Sequence, residues 1–587
     1  MAEVSKIQDY AIIGNSRSAA LISRNGSLDW LCWPRFDSAS IFGAIIDVES
    51  GGSWAIRPVK ESQVSRRYVD KTNVLETTFA NESGEAVLID FMPVTSEKEK
   101  REQFWAEHEL VRQIKCIQGK MDLLVDFNPR LNYGSSSPEI KNVGKLGWRI
   151  EAGANIFALR SDVGLVSAAK GLSAKFRLEA GNKIAFSLTF SAEGPAVLPP
   201  LDDLVVRKLN LTTQWWRGWV SESNYRGPYE HEVVRSALVL KLLSYAPSGA
   251  IIAAPTTSLP ERVGGDLNWD YRFAWLRDAS FTVHALFGLG YKDDAEAFVD
   301  WLLHATRLTR PELRVVYDVF GERPPPEHEL TQLRGHAGSR PVRIGNAAIE
   351  QLQLDIYGEV VEAVSHFVGG SKELDRETQK MLRQCADYVC THWREPDNGW
   401  VALDRILKMQ ARGQLSGIAV EKCNAERERI REEIETRAWN PQLKAYTQTC
   451  DGDELDASSL LLAYHGFEEP SSQRMQQTYK RIHERLVPKM GLMYRNQHSK
   501  DRHEGAFALC SFWEANFLAR SGCLKEATKV FEAALNYAND LDLFSEEIES
   551  QTGAALGNFP QGFTHLGLIN AALALRDSEE RTHKFKS

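Results

Sequence analysis

The sequence predicts a multidomain chain that is all-β in its first third and all-α after it. An N-terminal β-sandwich would be followed by a toroid of helical hairpins. Three observations predict this. Residues 8–200 have a strand-like texture, a Pro-rich break falls at Leu198–Asp203, and apolar residues recur at helical spacing from Tyr229 onward. The expected bounds are 1–200 for the sandwich, 201–227 for a linker helix and 228–587 for the helical domain.

The strands come first. ALISRNGSLDWLCW reads as two strands around Asn25-Gly26, a type I′ hairpin signal. VLETTFANESGEAVLIDFMPV repeats the pattern, with apolar alternation on both sides of Asn81–Gly84. FALRSDVGLVSAA and KIAFSLTFSAEG continue it, and short strands between turn signals suit an antiparallel sandwich. DLVVRKLNLTTQWWRGWV is the linker helix. EHEVVRSALVLKLLSYA, DASFTVHALFGLGY, DAEAFVDWLLHAT, AAIEQLQLDIYGEVVEAVSHF, GAFALCSFWEANFLARSG and KEATKVFEAALNYAND then carry apolar residues at helical spacing. Residues 419–437 form a charged helix expected to face solvent. No fixed short repeat is visible.

Composition excludes several classes. The 587 residues are 43% hydrophobic and 25% charged, which suits a globular chain with a sizeable core. A net charge of −9 and the lack of a Lys/Arg stripe argue against nucleic-acid binding. Nothing at the start resembles a signal peptide, and no apolar run is long enough to span a membrane. The sequons at Asn25, Asn81 and Asn210 therefore read as coincidence. The cysteines at 32, 116, 385, 390, 423, 450, 510 and 523 form no regular framework. Reduced thiols in a cytoplasmic protein are expected.

Three segments have compositions that suggest chemistry. Residues 264–281, GGDLNWDYRFAWLRDASF, gather Tyr271, Trp275, Arg277 and Asp278 just before a helix. Aromatic faces beside an Arg/Asp pair suit a sugar: rings cover C–H faces and charged groups bind hydroxyls. Composition alone equally allows Asp278 as a helix cap with Arg277 in an ion pair. Residues 338–359 place Arg343, Gly345 and Asn346 in a loop entering a helix, which by itself need be no more than that. Residues 539–567 place Glu546 and Glu547 between two helices, as a general base or as an exposed acidic turn.

Together and in this order, these segments resemble family 15 glycoside hydrolases, a group of glucoamylases, glucodextranases and microbial trehalases. The motifs N-W-D-Y-R-F-A-W-L-R-D and L-G-N-F-P-Q-G-F-T-H carry the resemblance. IQDYAIIGNSRSAALISRNGSLDWLCWPRFDSASIFGAIID resembles the N-terminal sandwich module of the trehalase-like branch. The resemblance implies an (α/α)₆ barrel, no metal or organic cofactor, and a carbohydrate substrate: trehalose, a maltose-type sugar or a glucan end. Hydrolysis would be inverting, with acid and base roughly 6.5–9.5 Å apart across the scissile bond. By the same resemblance Glu546 is the general base, with Glu547 as fallback. Tyr271 stacks on the glucose, Trp275 belongs to the first subsite, and Arg277 and Asp278 hold hydroxyls. Arg343, Gly345 and Asn346 border the first two subsites.

The general acid is not found. Relatives run from W-R-E-P-D-x-G into I-W-E-V-R, whose Glu is the acid, and only later into W-V-A-L-D-R. Here Trp393–Gly399 continues at once into Trp400–Arg405. The barrel wall is expected to be gapped there, and residues 493–507 look shortened too. The clean gap reads as a gene-model loss, a true deletion yielding a sugar-binding pseudoenzyme, or a rearrangement that brings in another acid. Glu395 and Asp397 are the nearest remaining carboxyls in the sequence. A cyclase or epimerase of similar shape would need a metal-binding Cys/His set or a DxDD-like run, and neither is present.

Overall fold

A computed structural model describes residues 4–103, 105–153, 155–191, 201–368, 374–394 and 399–584. Its N-terminal part is sheet, as the alternating texture predicts. Two antiparallel layers share one long strand, His108–Asn128. The first half of that strand lies between Gly84–Phe91 and Lys183–Ser191, and the second half between Ser53–Pro58 and Gly171–Glu179. Gly119, at φ +68°, marks the crossover, where the register slips opposite Glu85 and Ala86. A bulge with a left-handed glycine lets one strand bend from sheet to sheet. Trp54 and Phe127 meet edge to face in the core between the layers, with ring centroids 5.5 Å apart.

Both expected hairpins form. Leu75–Asn81 pairs with Gly84–Phe91 across the predicted turn. Ala19–Ser23 pairs with the strand starting at Ser27, but the turn is not type I′. Gly26 is left-handed at φ +74°, Asn25 is not, and Gly26 N–H donates to Ser23 O at 2.9 Å. A longer loop ending in a left-handed glycine satisfies the strand twist instead.

The short helix α1 (Glu97–Gln103) lies within the sheet region, and α2 (Asp202–Ser221) is the expected linker. The helical part comprises α3 (Glu230–Leu243), α4 (Ala279–Leu289), α5 (Lys292–Thr306), α6 (Asp355–Phe367), α7 (Arg376–His392) and α8 (Trp400–Ala411). It continues with α9 (Val420–Glu433), α10 (Leu461–Tyr464), α11 (Gln473–Leu486), α12 (Gln497–Asp501), α13 (Ala508–Arg520), α14 (Leu524–Leu535) and α15 (Gly562–Lys584). The expected helix from Ala347 is interrupted: a 3₁₀ turn at Ala347–Glu350 precedes α6, separated by extended residues. The charged helix at 419–437 buries Cys423, Glu426 and Ile430 and exposes most of the rest. Among the described residues no helix is long and apolar enough to cross a membrane.

Helices α4, α6 and α13 are buried on nearly all sides, whereas α5, α7, α11 and α14 bury one stripe. The first group lies inside and the second outside. Helix α4 packs on α6, α6 on α8, α10 on α13, α13 on α15, and α15 back on α4. Connections alternate in length. Those leading into α4, α6, α10, α13 and α15 are long: 244–278, 307–354, 434–460, 487–507 and 536–561. The connection leading into α8 is only 393–399.

Polar contacts join sheet to helices. Trp30 Nε1 donates to Pro255 O at 2.7 Å, and Asn73 Nδ2 to Leu238 O at 3.1 Å. Arg272, fully buried, pairs with Asp270 through Nε and Nη2 at 2.8 and 2.7 Å. Its Nη1 crosses to the sheet domain, donating to Tyr133 Oη at 2.9 Å and Ser38 O at 3.0 Å. Removing one partner of a buried pair strands the other charge. Arg272→Met should therefore lower stability by about 3–5 kcal/mol, read as a fall in the urea midpoint.

Candidate active site

The long connections place the expected residues together at the end of the inner helices. Glu546 precedes the short strand Glu547–Ile548, which pairs with Ala506–Phe507 and Ala555–Leu556. Its backbone is held on both sides: Ala508 N–H donates to Glu546 O at 3.1 Å, and Glu546 N–H to Asn558 O at 3.2 Å. Its carboxylate accepts from Asn558 N–H at 3.3 Å. Gly557 is left-handed at φ +71°, and a Cβ there would come within 2.6 Å of Glu546 Oε2. Asn558 also binds Trp269 O and Thr256 Oγ1, at 3.0 and 2.9 Å, tying this loop to residues 244–278. Glu546 is 4% exposed, so the exposed-turn alternative does not hold.

Tyr271 meets Trp275 edge to face at 5.1 Å, and its hydroxyl bonds the Glu546 carboxyl. Trp275 is buried in a two-residue strand paired with Val316–Tyr317. Arg277 Nε donates to Asp278 Oδ1 at 3.3 Å, and the guanidinium lies 5.5 Å from the Phe563 ring centre. Asp278 occupies the N-cap position of α4, but its side chain makes no capping bond. The ion-pair alternative is thus realised and the capping one is not. Burial raises the Asp278 carboxyl, opposed by Arg277.

Arg343, Gly345 and Asn346 lie against the same loop and brace it. The Arg343 guanidinium lies over the Trp269 ring at 4.5 Å, contacts Glu327 at 3.3 Å and donates to Asp266 O at 2.8 Å. Gly345 N–H donates to Asp270 Oδ2 at 3.0 Å, and Asn346 Nδ2 to Asp270 O at 3.1 Å.

Glu261, Glu504 and Arg495 carried no sequence signal, unlike Glu547. Glu261, Glu504 and Glu547 bring carboxylate oxygens within 4.8 Å of one another, and Glu546 is close enough to act electrostatically on Glu261. That spacing would suit a cation, but bound protons relieve the repulsion equally well. Burial pushes Glu546 up to about 7, opposed by Tyr271, Asn558, Arg277 and Arg495. Burial also raises Glu547 and Glu261 well above the usual carboxylate value; Glu261, Glu546 and Glu504 add to the rise of Glu547, and Glu546 and Glu504 to that of Glu261. Gly505 N–H donates to Glu547 at 2.9 Å. Residues 493–507, expected to be cut back, still supply Arg495 and Glu504.

On the α8 side, Trp400 opens the helix directly after Gly399. Glu395 and Asp397 lie outside the described residues. A cavity of about 810 Å³ lies between α6, α8, the end of α9 and residues 446–450. The site thus combines a buried carboxyl near neutrality, an Arg–Asp pair and aromatic walls. That set can bind a polyhydroxylated ring and activate water.

The family model "Glycosyl hydrolases family 15" matches residues 227–525 and 519–573, and "Trehalase-like, N-terminal" matches residues 2–168. The chain is 33% identical to a trehalase of Mycobacterium tuberculosis, covering 98% of this chain and 90% of that one. It is 32% identical to a trehalase of Thermoplasma volcanium, covering 99% and 96%. The first match runs over 618 residues, more than the 587 here, so part of the relative has no counterpart in this chain. Among solved structures, a bacterial glucoamylase complexed with acarbose superposes with a TM-score of 0.70. Its identity is 14%, over 99% of this chain and 96% of that one, so the likeness shows the fold.

The bracing of the 264–278 loop can be tested at Gly345. Its φ is +73°, and a Cβ would meet Pro325 O at 2.4 Å. Gly345→Ala should cost more than about 1 kcal/mol, seen as a lowered melting temperature.

Proposed function

The chain belongs to glycosyl hydrolase family 15, and from that premise we propose that it hydrolyses α-glucosidic bonds, of trehalose or of non-reducing glucan ends, with inversion and release of glucose. The proposed frame is an (α/α)₆ barrel (228–587) behind a sandwich (1–200) and a linker helix (201–227). The inner packing of α4, α6, α8, α10, α13 and α15 supports it. The observation that carries the functional reading is Glu546, buried beside the Tyr271 hydroxyl in the loop next to the Arg277–Asp278 pair. The relatives lean the choice of substrate toward trehalose. A cytoplasmic setting belongs to the same proposal, supported by the eight unpaired cysteines.

In this reading the glucose ring lies on Tyr271, beside Trp275, while Arg277 and Asp278 bind its hydroxyls. Arg343, Gly345 and Asn346 border the first two subsites, the last two acting through Asp270. Glu546 takes a proton from water as the water attacks the anomeric carbon. Glu546 suits this better than Glu547, because its carboxyl lies beside Tyr271 and the Arg277–Asp278 loop whereas that of Glu547 faces Glu261 and Glu504. The departing oxygen also needs a proton, and the family's acid segment is absent between Gly399 and Trp400. Loss of such a donor costs about 10²–10⁴ in rate when the leaving group is poor. The short 393–399 connection also favours a second reading, a sugar-binding protein of the same fold without turnover.

Two substrates separate the readings. α-D-Glucosyl fluoride expels fluoride without protonation, whereas trehalose, maltose and starch do not part so easily. The fluoride should be hydrolysed, with β-glucose as the first anomer by NMR, and faster than any of the other three. Glu546→Gln should lower that rate at least about 100-fold. Because a base works ionised and Glu546 is raised to about 7, kcat/KM should fall as the pH drops through 7. A chain that binds trehalose in calorimetry, loses that binding in Asp278→Ala and releases glucose from no substrate would be the binding protein.

A further inference from the structure

Glu359 lies one turn into α6 and lines the cavity between α6, α8 and the end of α9. Its carboxyl contacts the Ser280 hydroxyl, two residues beyond Asp278. Its other oxygen lies 3.5 Å from His465 Nε2. On its far side, His465 Nδ1 lies 2.6 Å from Glu362, which accepts from Arg405 at 2.8 Å. The result is a chain of groups running Glu359, His465, Glu362, Arg405. It adjoins the turn that carries the Arg277–Asp278 pair: α6 packs on Leu276–Asp278, and Ser280 stands two residues beyond Asp278.

The charges around Glu359 suit a proton donor. Burial pushes its carboxyl up to about 8, against His465, while Glu362 and Asp355 add to the rise. Glu362 behaves oppositely. Despite burial, His465 and Arg405 hold it far below the carboxylate range. His465 is raised against burial by Glu362 and Glu359, with Arg405 opposing. Along the row the acid Glu359 is thus held toward its neutral form, His465 toward its protonated form and Glu362 toward its ionised form. Two carboxyls on one helix, a turn apart, are driven to opposite protonation states, the pattern that separates a donor from a fixed anion.

We propose that Glu359 is the proton donor of this chain, reached by the departing sugar through the cavity that Glu359 lines. This rests on the hydrolytic reading above. The C1–O bond breaks with its electron pair on the departing oxygen, which takes the Glu359 proton. Water oxygen bonds to C1 and passes a proton to Glu546. One trehalose and one water yield two glucose molecules. Glu359 is reprotonated through His465 from the solvent-open cavity, and Glu546 returns its proton to solvent.

The test compares trehalose with α-D-glucosyl fluoride, since only trehalose needs the donor. In Glu359→Gln the ratio of kcat/KM for trehalose to that for the fluoride should fall about 100-fold or more, and Glu359→Asp should recover part of it. In the unsubstituted chain, trehalose hydrolysis should decline above pH about 8, where Glu359 ionises, while fluoride hydrolysis shows no such limb. A purely structural role would slow both substrates alike. An unchanged ratio, or turnover of fluoride but not trehalose, overturns the proposal and leaves the hydrolytic reading standing. If neither substrate is turned over, the hydrolytic reading fails and the proposal with it. Should Glu359→Gln not fold, the alkaline limb of the unsubstituted chain decides: present, it supports Glu359; absent, it removes it.

Discussion

The buried pair of Asp270 and Arg272 is the joint on which the rest of the site depends. Both residues lie in the loop that carries Tyr271, and neither is open to solvent. Arg272 spends two nitrogens on Asp270 and the third on the sheet domain, through Tyr133 and Ser38. Asp270 in turn accepts from Gly345. Three stretches distant in sequence are thus held by one ion pair whose lone pairs and protons are largely used. An isolated buried pair is weak evidence for stability, but one so fully hydrogen-bonded fixes geometry. With its flanking residues anchored, Tyr271 faces Glu546 from a fixed wall. The sandwich is therefore part of the scaffold of the site and more than an appended module.

Burial then sorts the acidic groups by function. Each site carboxyl loses hydration, which alone would protonate all of them. What differs is the compensation. Glu546 receives a hydroxyl, a backbone N–H and the nearby charges of Arg277 and Arg495, so it ionises near neutrality. Glu547 has one N–H and faces Glu261, Glu546 and Glu504, so its carboxyl is raised well above its ordinary value. Glu362 has His465 and the Arg405 guanidinium, whereas Glu359 has the far edge of His465 and the neutral Ser280 hydroxyl. Four glutamates thus take different proton affinities because their partners differ.

Much of the architecture was legible in the sequence because it is periodic. Strand alternation marked both hairpins, and 3.6-residue spacing marked α3 to α6, α13 and α14. What failed was local. Asn25-Gly26 did not form type I′ because Asn25 avoids the left-handed region, and the run from Ala347 breaks where extended residues intervene before α6. The motif segments were legible as compositions, and the structure brings Tyr271, Arg277, Asp278 and Glu546 together from two connections. Gly345 and Asn346 share the loop but turn their polar groups to Asp270, which no spacing rule could anticipate. Glu261, Arg495, Glu504 and Glu359 were invisible for another reason. Each is an ordinary charged residue in its own segment, and only three-dimensional convergence gives it electrostatic neighbours.

The shortened α7–α8 connection separates what holds the fold from what runs the chemistry. The inner helices bury their surface against one another, and α8 keeps its packing on α6, α7 and α9 although the segment before it is short. Loops add little to that packing and carry most functional groups, so a loop can vanish while the helical frame persists. The consequence for the reaction is asymmetric. Glu546, the proposed base, sits on the long connection 536–561, away from the shortened one. On the proposed donor side, the cavity beside α8 is walled in part by the helices themselves. A carboxyl serving there would have to face the cavity and be set in its protonation state by its neighbours; among the described residues Asp355, Glu359 and Glu433 line it, all from helices. Glu359 meets both conditions through its place on α6, its exposure to the cavity and its contact with the first turn of α4.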